Sequence, residues 1–383
     1  MKKFSKIIFI VFTVILSLCL LVSVALFFVL KNFDLNKFKP QIVAQVQQVL
    51  GRQAQVGDLA VGFSLSQGLS LSVSNVAILD DAQFSQKPFI SVGKLSLGLD
   101  LFGIIAQRQV SISTVEIRDP QIFLIRNEEG VFNFQSLAVF NKDNANTPAP
   151  AAASAAPAVG VAVVLVKNIM VSNGVVNLED HWEEDKVVQL KKIDLKVLDF
   201  SLVNPFKISM KAACLSDKQN MTAASIATID ALHAAGALRD LQTEVDMSTI
   251  DVKLLAAIIP AMAQAKLQDP LGGKLTCSAD EIQMSAQGVL IKKLQGDLSG
   301  GELKTSYLKI PVKNIEAKVE IAGENLTIPS ASCALGQGRM DFNGTINQYL
   351  STQEYKFNIT MDGVSLGQVV NQGGQDVAFE GMA

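Results

Sequence analysis

Leu95-Ser96-Leu97-Gly98-Leu99-Asp100-Leu101 alternates leucine with small or polar residues, and that period of two decides the fold. Successive side chains of a strand point to opposite faces, so this stretch puts four leucines on one side and Ser96, Gly98 and Asp100 on the other. The same period extends outward in both directions. Upstream, Leu69, Leu71 and Val73 alternate with serines; downstream, Val110 and Ile112, then Val115 and Ile117, repeat the pattern. Farther along, Ile193, Leu195 and Val197 alternate with Asp194 and Lys196. The phase then slips by one to Leu198, Phe200 and Leu202, as a β-bulge produces. Ile315, Ala317, Val319 and Ile321 alternate with charged residues, and Met340 and Phe342, then Tyr355, Phe357, Ile359 and Met361, continue the texture between glycine-bearing turns. The chain is therefore expected to be mainly β, with one apolar and one polar face.

A few segments break the period. Asn36 can cap a short helix whose Ile42, Val46, Val49 and Leu50 share one face, with Pro40 in its first turn and Gly51 at its stop. Leu254, Leu255, Ile258, Ile259 and Met262 give Val252–Gln268 a helical pattern, which Pro260 should kink or split. Phe102 to Ala106 reads as a helical turn, residues 223–245 are alanine-rich and fit helix or strand, and Asn173-Gly174 is a turn signal. Residues 141–158, NKDNANTPAPAAASAAPA, have nothing to bury and read as a solvated linker between a β module at 34–140 and a second at 159–383.

From Ile7 to Leu30 no charge interrupts an apolar run. As a helix it spans about 36 Å, against roughly 30 Å of bilayer hydrocarbon. Lys2, Lys3 and Lys6 also suit a signal peptide, but Leu26-Phe27-Phe28-Val29-Leu30 carries the run past the Ser23/Ala25 cleavage pair, which favours a retained single-pass anchor at 7–30 behind a tail at 1–6. Lys31, Lys37 and Lys39 nearly balance the lysines before the run, so charge does not settle the topology.

Chemistry-bearing signals are sparse. A net charge of −3 offers no electrostatic footprint for nucleic acid. There are two histidines, no phosphate-binding loop, no nucleophile elbow and no zinc-type spacing among Cys19, Cys214, Cys277 and Cys333. A Cys277–Cys333 bridge stays open. His181 with Glu179, Asp180, Glu183, Glu184 and Asp185 reads as a solvated hairpin tip, and Asp80-Asp81 as a turn. The expectation is a protein with no enzymatic activity, no cofactor, no metal and no nucleic-acid partner.

The order of features resembles the AsmA family. Its marks are the anchor, Lys39-Pro40, Leu50-Gly51-Arg52, Val56-Gly57-Asp58-Leu59, Val92-Gly93-Lys94-Leu95, Asp119-Pro120-Gln121-Ile122 and Gly130-Val131-Phe132-Asn133-Phe134. Beyond the linker, Ile169 to Asp180, Asn204-Pro205-Phe206 and Leu254 to Pro260 are similar to that family too. The resemblance implies a cytosolic tail, an inner-membrane anchor and a bulk that lies in the periplasm of a diderm bacterium. It also implies kinship with chorein-type bridge-like lipid transfer proteins, in which an elongated, curved antiparallel sheet forms a groove that shields acyl chains. Longer members continue past the equivalent of Gly363–Gly367, whereas this chain ends at Phe379–Ala383, so a short member and a C-terminally incomplete chain both stay open.

One-sided strands need cover for their apolar face, at about 25 cal/mol per Å² left in water. With few helices, the cover is a second sheet or a hydrocarbon guest. The groove candidates are Leu69, Leu71, Val73, Leu95, Leu97, Leu99, Val110, Ile112, Ile193, Leu195, Val197, Ile315, Val319, Ile321, Phe357 and Ile359. On this reading the partners are phospholipid, the inner membrane and an outer-membrane or envelope protein at the far end. The alternative is a scaffold with a closed β-sandwich core that binds proteins and no lipid.

Overall fold

Alternating residues form strands almost wherever they occur. The computed structural model describes residues 34–64, 68–99, 112–138, 165–182, 186–230, 235–285, 288–348 and 354–365. The apolar run 7–30, the 141–158 segment, the Phe102–Ala106 turn, Val110 and Glu183 to Asp185 lie outside them. Among the described residues no helix is long and apolar enough to cross a membrane. The strands are β1 (Ala54–Gln55), β2 (Leu59–Ser64), β3 (Gly68–Leu79), β4 (Pro88–Leu99), β5 (Ile112–Arg126), β6 (Leu165–Asp180), β7 (Lys186–Ser201), β8 (Phe206–Cys214), β9 (Met221–Asp230), β10 (Ala235–Asp246), β11 (Leu267–Ser285), β12 (Gly288–Ile291), β13 (Leu294–Thr305), β14 (Val312–Ala322), β15 (Asn325–Leu335), β16 (Gly338–Asn347) and β17 (Glu354–Asp362). Residues 223–230 and 235–245 are thus strand, not helix.

All seventeen strands belong to one sheet. Each pairs with its neighbour in sequence, except that β1 and β2 share one edge of β3, and β12 and β13 share one edge of β11. The sheet is therefore fifteen strand positions across, or about 70 Å at ~4.8 Å each. No pairing joins β17 back to β2 among the described residues, so the sheet stays open. The expected antiparallel order has one exception. β5 and β6 pair in parallel, from Thr114 opposite Asn168 to Arg126 opposite Asp180, so the strands before and after residues 141–158 meet edge to edge. Asn173 Nδ2 ties this seam by donating to Asp119 Oδ1 at 2.6 Å.

Asn173-Gly174 makes no hairpin. β6 runs straight through it, with Asn173 at φ 54°. Asn75, Asp119, Lys192, Asp240, Gly300 and Asn314 take the same left-handed conformation inside β3, β5, β7, β10, β13 and β14, at φ 49–58°. Asn, Asp and Gly accept positive φ at least cost, so they are well suited to an irregular point in a strand. Wherever one stands, the apolar spacing lengthens from two to three: Val73 to Val76, Ile117 to Pro120, Val171 to Gly174, Leu190 to Ile193, Leu238 to Leu241, Leu298 to Gly301 and Val312 to Ile315. The slip expected after Val197 occurs the same way at Asp199 (φ 56°), and Phe200 then packs with Val197 and Phe206 in one buried cluster.

Three α-helices accompany the sheet among the described residues. α1 (Lys39–Leu50) has Pro40 in its first turn and ends at Gly51, whose φ of 70° suits glycine. Asn36 does not cap it. Asp34 caps a preceding 3-10 turn instead, and Asn36 Oδ1 accepts from Leu59 N at 3.2 Å. Nor is the apolar stripe of α1 fully used: Ile42, Val46 and Leu50 are half-buried, but Val49 is exposed. α2 (Val252–Ile258) and α3 (Pro260–Gln264) are the helical pattern split at Pro260 as expected; the proline ring leaves no N–H to continue the first helix.

The Leu50-Gly51-Arg52 and Phe132-Asn133-Phe134 segments meet in a buried knot. Arg52 pairs with Asp80, their side chains 4% and 1% exposed, and donates to the Asn133 carbonyl and to Ser136 Oγ at 2.7 Å. Asn133, fully buried, donates through Nδ2 to Asp80 Oδ2 (2.7 Å) and the Phe123 carbonyl (2.9 Å), and accepts from Ile125 N (3.1 Å). Asp80, read from the sequence as a turn residue, is instead the buried counter-ion of this knot. Asp81 does the turn's work, accepting from Gln83 N at 3.1 Å.

Two outcomes follow from this packing. Arg52→Ala strands the Asp80 carboxylate in the interior and is expected to lower unfolding free energy by about 3–5 kcal/mol in urea titrations; a loss under ~1 kcal/mol would rule out the knot as described. Cutting the chain at a protease site placed within 141–158 should leave both halves co-eluting, because the β5–β6 seam holds them, and halves that separate without denaturant would show that it does not.

Candidate lipid groove

The register aligns apolar residues from strand to strand. Leu59, Val73, Leu95, Ile117, Val171, Leu195, Met210, Ala223, Thr243, Cys277, Gly296 and Val319 are successive Cα partners across β2 to β14. Register partners share a face, so this row is one continuous strip with Thr243 as its only polar side chain. A parallel row runs Val61, Leu71, Leu97, Val115, Ile169, Val197 and Ile208. Toward the far edge, Leu294, Ile321, Leu326, Ile346 and Tyr355 form another.

This strip is only half covered. Apart from buried Leu59, the members of the first row are half-buried, which fits side chains packed against lateral neighbours with no second layer above. Buried apolar residues gather instead in small separate clusters around Val197–Phe206–Ala227, Ile250–Val252–Leu271 and Cys333–Leu335. A two-layer sandwich would bury the whole inner face.

Two hollows lie on the sheet, one on each face. One of about 1050 Å³ opens on the face opposite the strip, where Asp194, Lys196, Lys211, Glu244, Thr276 and Asp297 are among the side chains that line it. A second of about 340 Å³ is lined by Leu275, Cys277, Leu294, Gly296, Leu298, Ala317, Val319 and Ile321, with no hydrogen-bonding side chain beyond the thiol. Gly296 leaves its floor open, since a Cβ there would meet only Cys277 Sγ, at 3.9 Å. Burial, with the nearby Asp297 carboxylate, pushes the Cys277 thiol up from its ordinary value and keeps it neutral. The Cys277–Cys333 pairing is not made. Both are free, and β13 and β14 stand between their strands, roughly 14 Å of sheet where a disulfide spans ~7 Å at most.

Of the residues proposed from the sequence, Val73, Leu95, Leu195 and Val319 lie on the first row; Leu71, Leu97 and Val197 on the second; and Ile321 beside Val319 in the smaller hollow. Leu69, Leu99 and Ile112 align with one another one step farther along β3, β4 and β5. Ile193 and Val197 are buried at 8% and 6%, and Ile315 packs against Cys333 and Leu335, so these three serve the protein's own packing. Phe357 and Ile359 sit on β17 at the sheet's last position and are exposed. Val110 lies outside the described residues. Ala223, Thr243, Cys277 and Gly296 were missed because small residues carry no hydrophobic signal; only the register reveals them.

Polar groups elsewhere are engaged locally. The Arg126 guanidinium lies 3.7 Å from the Trp182 ring centroid and 3.6 Å from Asp180, and His181 N donates to the Arg126 carbonyl. No group of three or more His, Cys, Asp or Glu that could hold a metal occurs among the described residues.

Comparison with known families places the sequence. The profile of the AsmA family matches residues 1–287, three quarters of the chain. A search of curated proteins and a search of solved structures each find no match. With the marks from Lys39 to Phe134, the β5–β6 junction and the strip up to β11 all inside the matched span, this chain belongs to the AsmA family.

Proposed function

We propose that this chain is an inner-membrane-anchored periplasmic protein that binds or conducts phospholipid along the apolar strip, and so supports the assembly or upkeep of the outer membrane. The observation that carries this reading is the unbroken row from Leu59 to Val319, apolar but for one threonine and left half open across twelve strands. An acyl chain suits such a surface. It gains about 0.8 kcal/mol per methylene taken out of water and asks for no hydrogen-bond partner along its length. The strip is also a path rather than a pocket. Each strand offers an equivalent contact ~4.8 Å from the last, so a chain can move along it without a large barrier at any step.

The headgroup would stay outside the strip and in water, which avoids burying its charge. No nucleophile–base pair or metal cluster enters this scheme, and the proposed role is transport and not catalysis. The anchor read in residues 7–30 would fix the β1–β3 side near the donor membrane, leaving the β17 side for an outer-membrane or envelope partner.

Two measurements test the reading. A photo-crosslinking residue at Leu97 or Val319 should capture phospholipid in cells, whereas one at Ser96 or Lys318, on the other face, should not; absence of lipid adducts at Leu97 and Val319 in folded protein would defeat the proposal. Gly296→Val fills the smaller hollow without a backbone conflict, so stability should stay within ~0.5 kcal/mol. Lipid capture at Val319 should drop with it, and unchanged capture would place the lipid elsewhere.

A further inference from the structure

The α2–α3 pair is apolar on more sides than its packing needs. Val252 and Leu255 face inward, joining Ile250, Leu271, Val245 and Leu303 in one cluster, while α2 lies against β7 and β11 and closes the end of the three strands between them. Asp251 caps α2 by accepting from Lys253 N and Leu254 N, and Asp269 Oδ1 accepts from Val252 N. These contacts account for the inner side. On the outer side Leu254, Ile259 and Met262 remain 45%, 40% and 36% exposed. A helix in water ordinarily turns charge outward at such positions.

Charge here follows a different pattern. From Val252 to Lys266 there is no acidic residue, and the polar side chains are Lys253, Gln264 and Lys266. The two lysines, both exposed, bracket the apolar segment. Just past α3, Ser306 N donates to the Lys266 carbonyl, and Lys266 Nζ lies 5.0 Å from the ring centroid of half-exposed Tyr307. Aliphatic side chains flanked by lysines and a tyrosine match the water–hydrocarbon boundary of a bilayer. There the lysine stems lie along apolar surface while their heads reach phosphate, and the tyrosine ring sits at headgroup depth.

We propose that α2, α3 and the Tyr307 turn form a rim that rests on an anionic phospholipid bilayer, with Leu254, Ile259 and Met262 entering the acyl boundary and Lys253 and Lys266 at phosphate level. A protein partner would call for directional polar contacts, and this outer side offers few; the two acidic groups at its margin, Asp251 and Asp269, are engaged with the backbone of α2, and the run from Val252 to Lys266 carries only positive charge, which suits a negatively charged surface. The inference is independent of whether the groove holds lipid.

The test uses the full chain reconstituted in vesicles of phosphatidylglycerol and phosphatidylethanolamine, with bromine on the acyl chains or without it. Trp182, the chain's single tryptophan, is replaced by phenylalanine and Met262→Trp supplies the only tryptophan, excited selectively over the tyrosines. Its emission should fall about twofold in brominated vesicles, as expected for a ring at the acyl boundary. Val203→Trp, on an exposed turn at the opposite strand ends, should stay unquenched. Adding Leu254→Glu and Ile259→Glu should restore the emission, and Lys253→Gln with Lys266→Gln, which leaves the inner side of α2 untouched, should weaken the quenching on its own. Equal emission in both kinds of vesicle, equal quenching at Val203→Trp, or quenching that survives both pairs of changes would overturn the proposal.

Discussion

The structure depends on one constraint: an apolar face has to keep its phase across fifteen strand positions, although many of the strands are too long to stay regular. A single extra residue in a strand would turn every later side chain to the wrong face. At eight points, from Asn75 to Asn314, one left-handed residue stands where the apolar spacing stretches from two to three, so the face continues. At Asp199 and Asn314 the residues on either side of the slip pack into the same cluster, Val197 with Phe200 and Val312 with Ile315. The backbone strain of φ near 50° in a non-glycine residue, of order 1–3 kcal/mol at worst, is offset by the apolar contacts that a flipped strand would lose.

Much of this was legible in the sequence, for a physical reason. Period two survives in Leu95–Leu99 or Ile315–Ile321 because one face meets water throughout, and the split at Pro260 follows from a missing N–H alone. What stayed hidden was non-local. Asn173-Gly174 has the composition of a hairpin turn, yet a left-handed residue serves a bulge equally well, and only pairing with Asp119 and Ile193 tells the two apart. The Arg52 knot joins positions 52, 80, 133 and 136, whose local contexts are a helix end, a hairpin loop and a 3-10 turn. The parallel seam depends on which strand follows the 141–158 segment into the sheet, and nothing in either strand's own pattern announces it.

The knot also explains how the leading helix is held. α1 runs beside the first strands from the level of Ser74, where Lys39 reaches Asp58 at 2.9 Å, to the level of Leu79, where Leu79 N bonds the Gln53 carbonyl. Gly51 lets the chain turn sharply there, and Arg52 drops into the interior. The described chain therefore begins, at Asp34, beside the first strands of the sheet.

Side-chain size along the first row adds a last step. From Leu59 to Met210 the row is built of large aliphatic residues, and from Ala223 to Gly296 the side chains shrink before Val319 closes the series. A strip of constant backbone height must then deepen where its side chains shorten, and the smaller hollow lies at the Cys277–Gly296 end of this stretch. The Ile250–Val252–Leu271 cluster sits beside this stretch, through Val245, the neighbour of Thr243 along the same face. Depth lost from side chains is thus bordered by a helical pair that keeps the strand ends covered, which lets the sheet be thin in its middle without exposing the backbone at its rim.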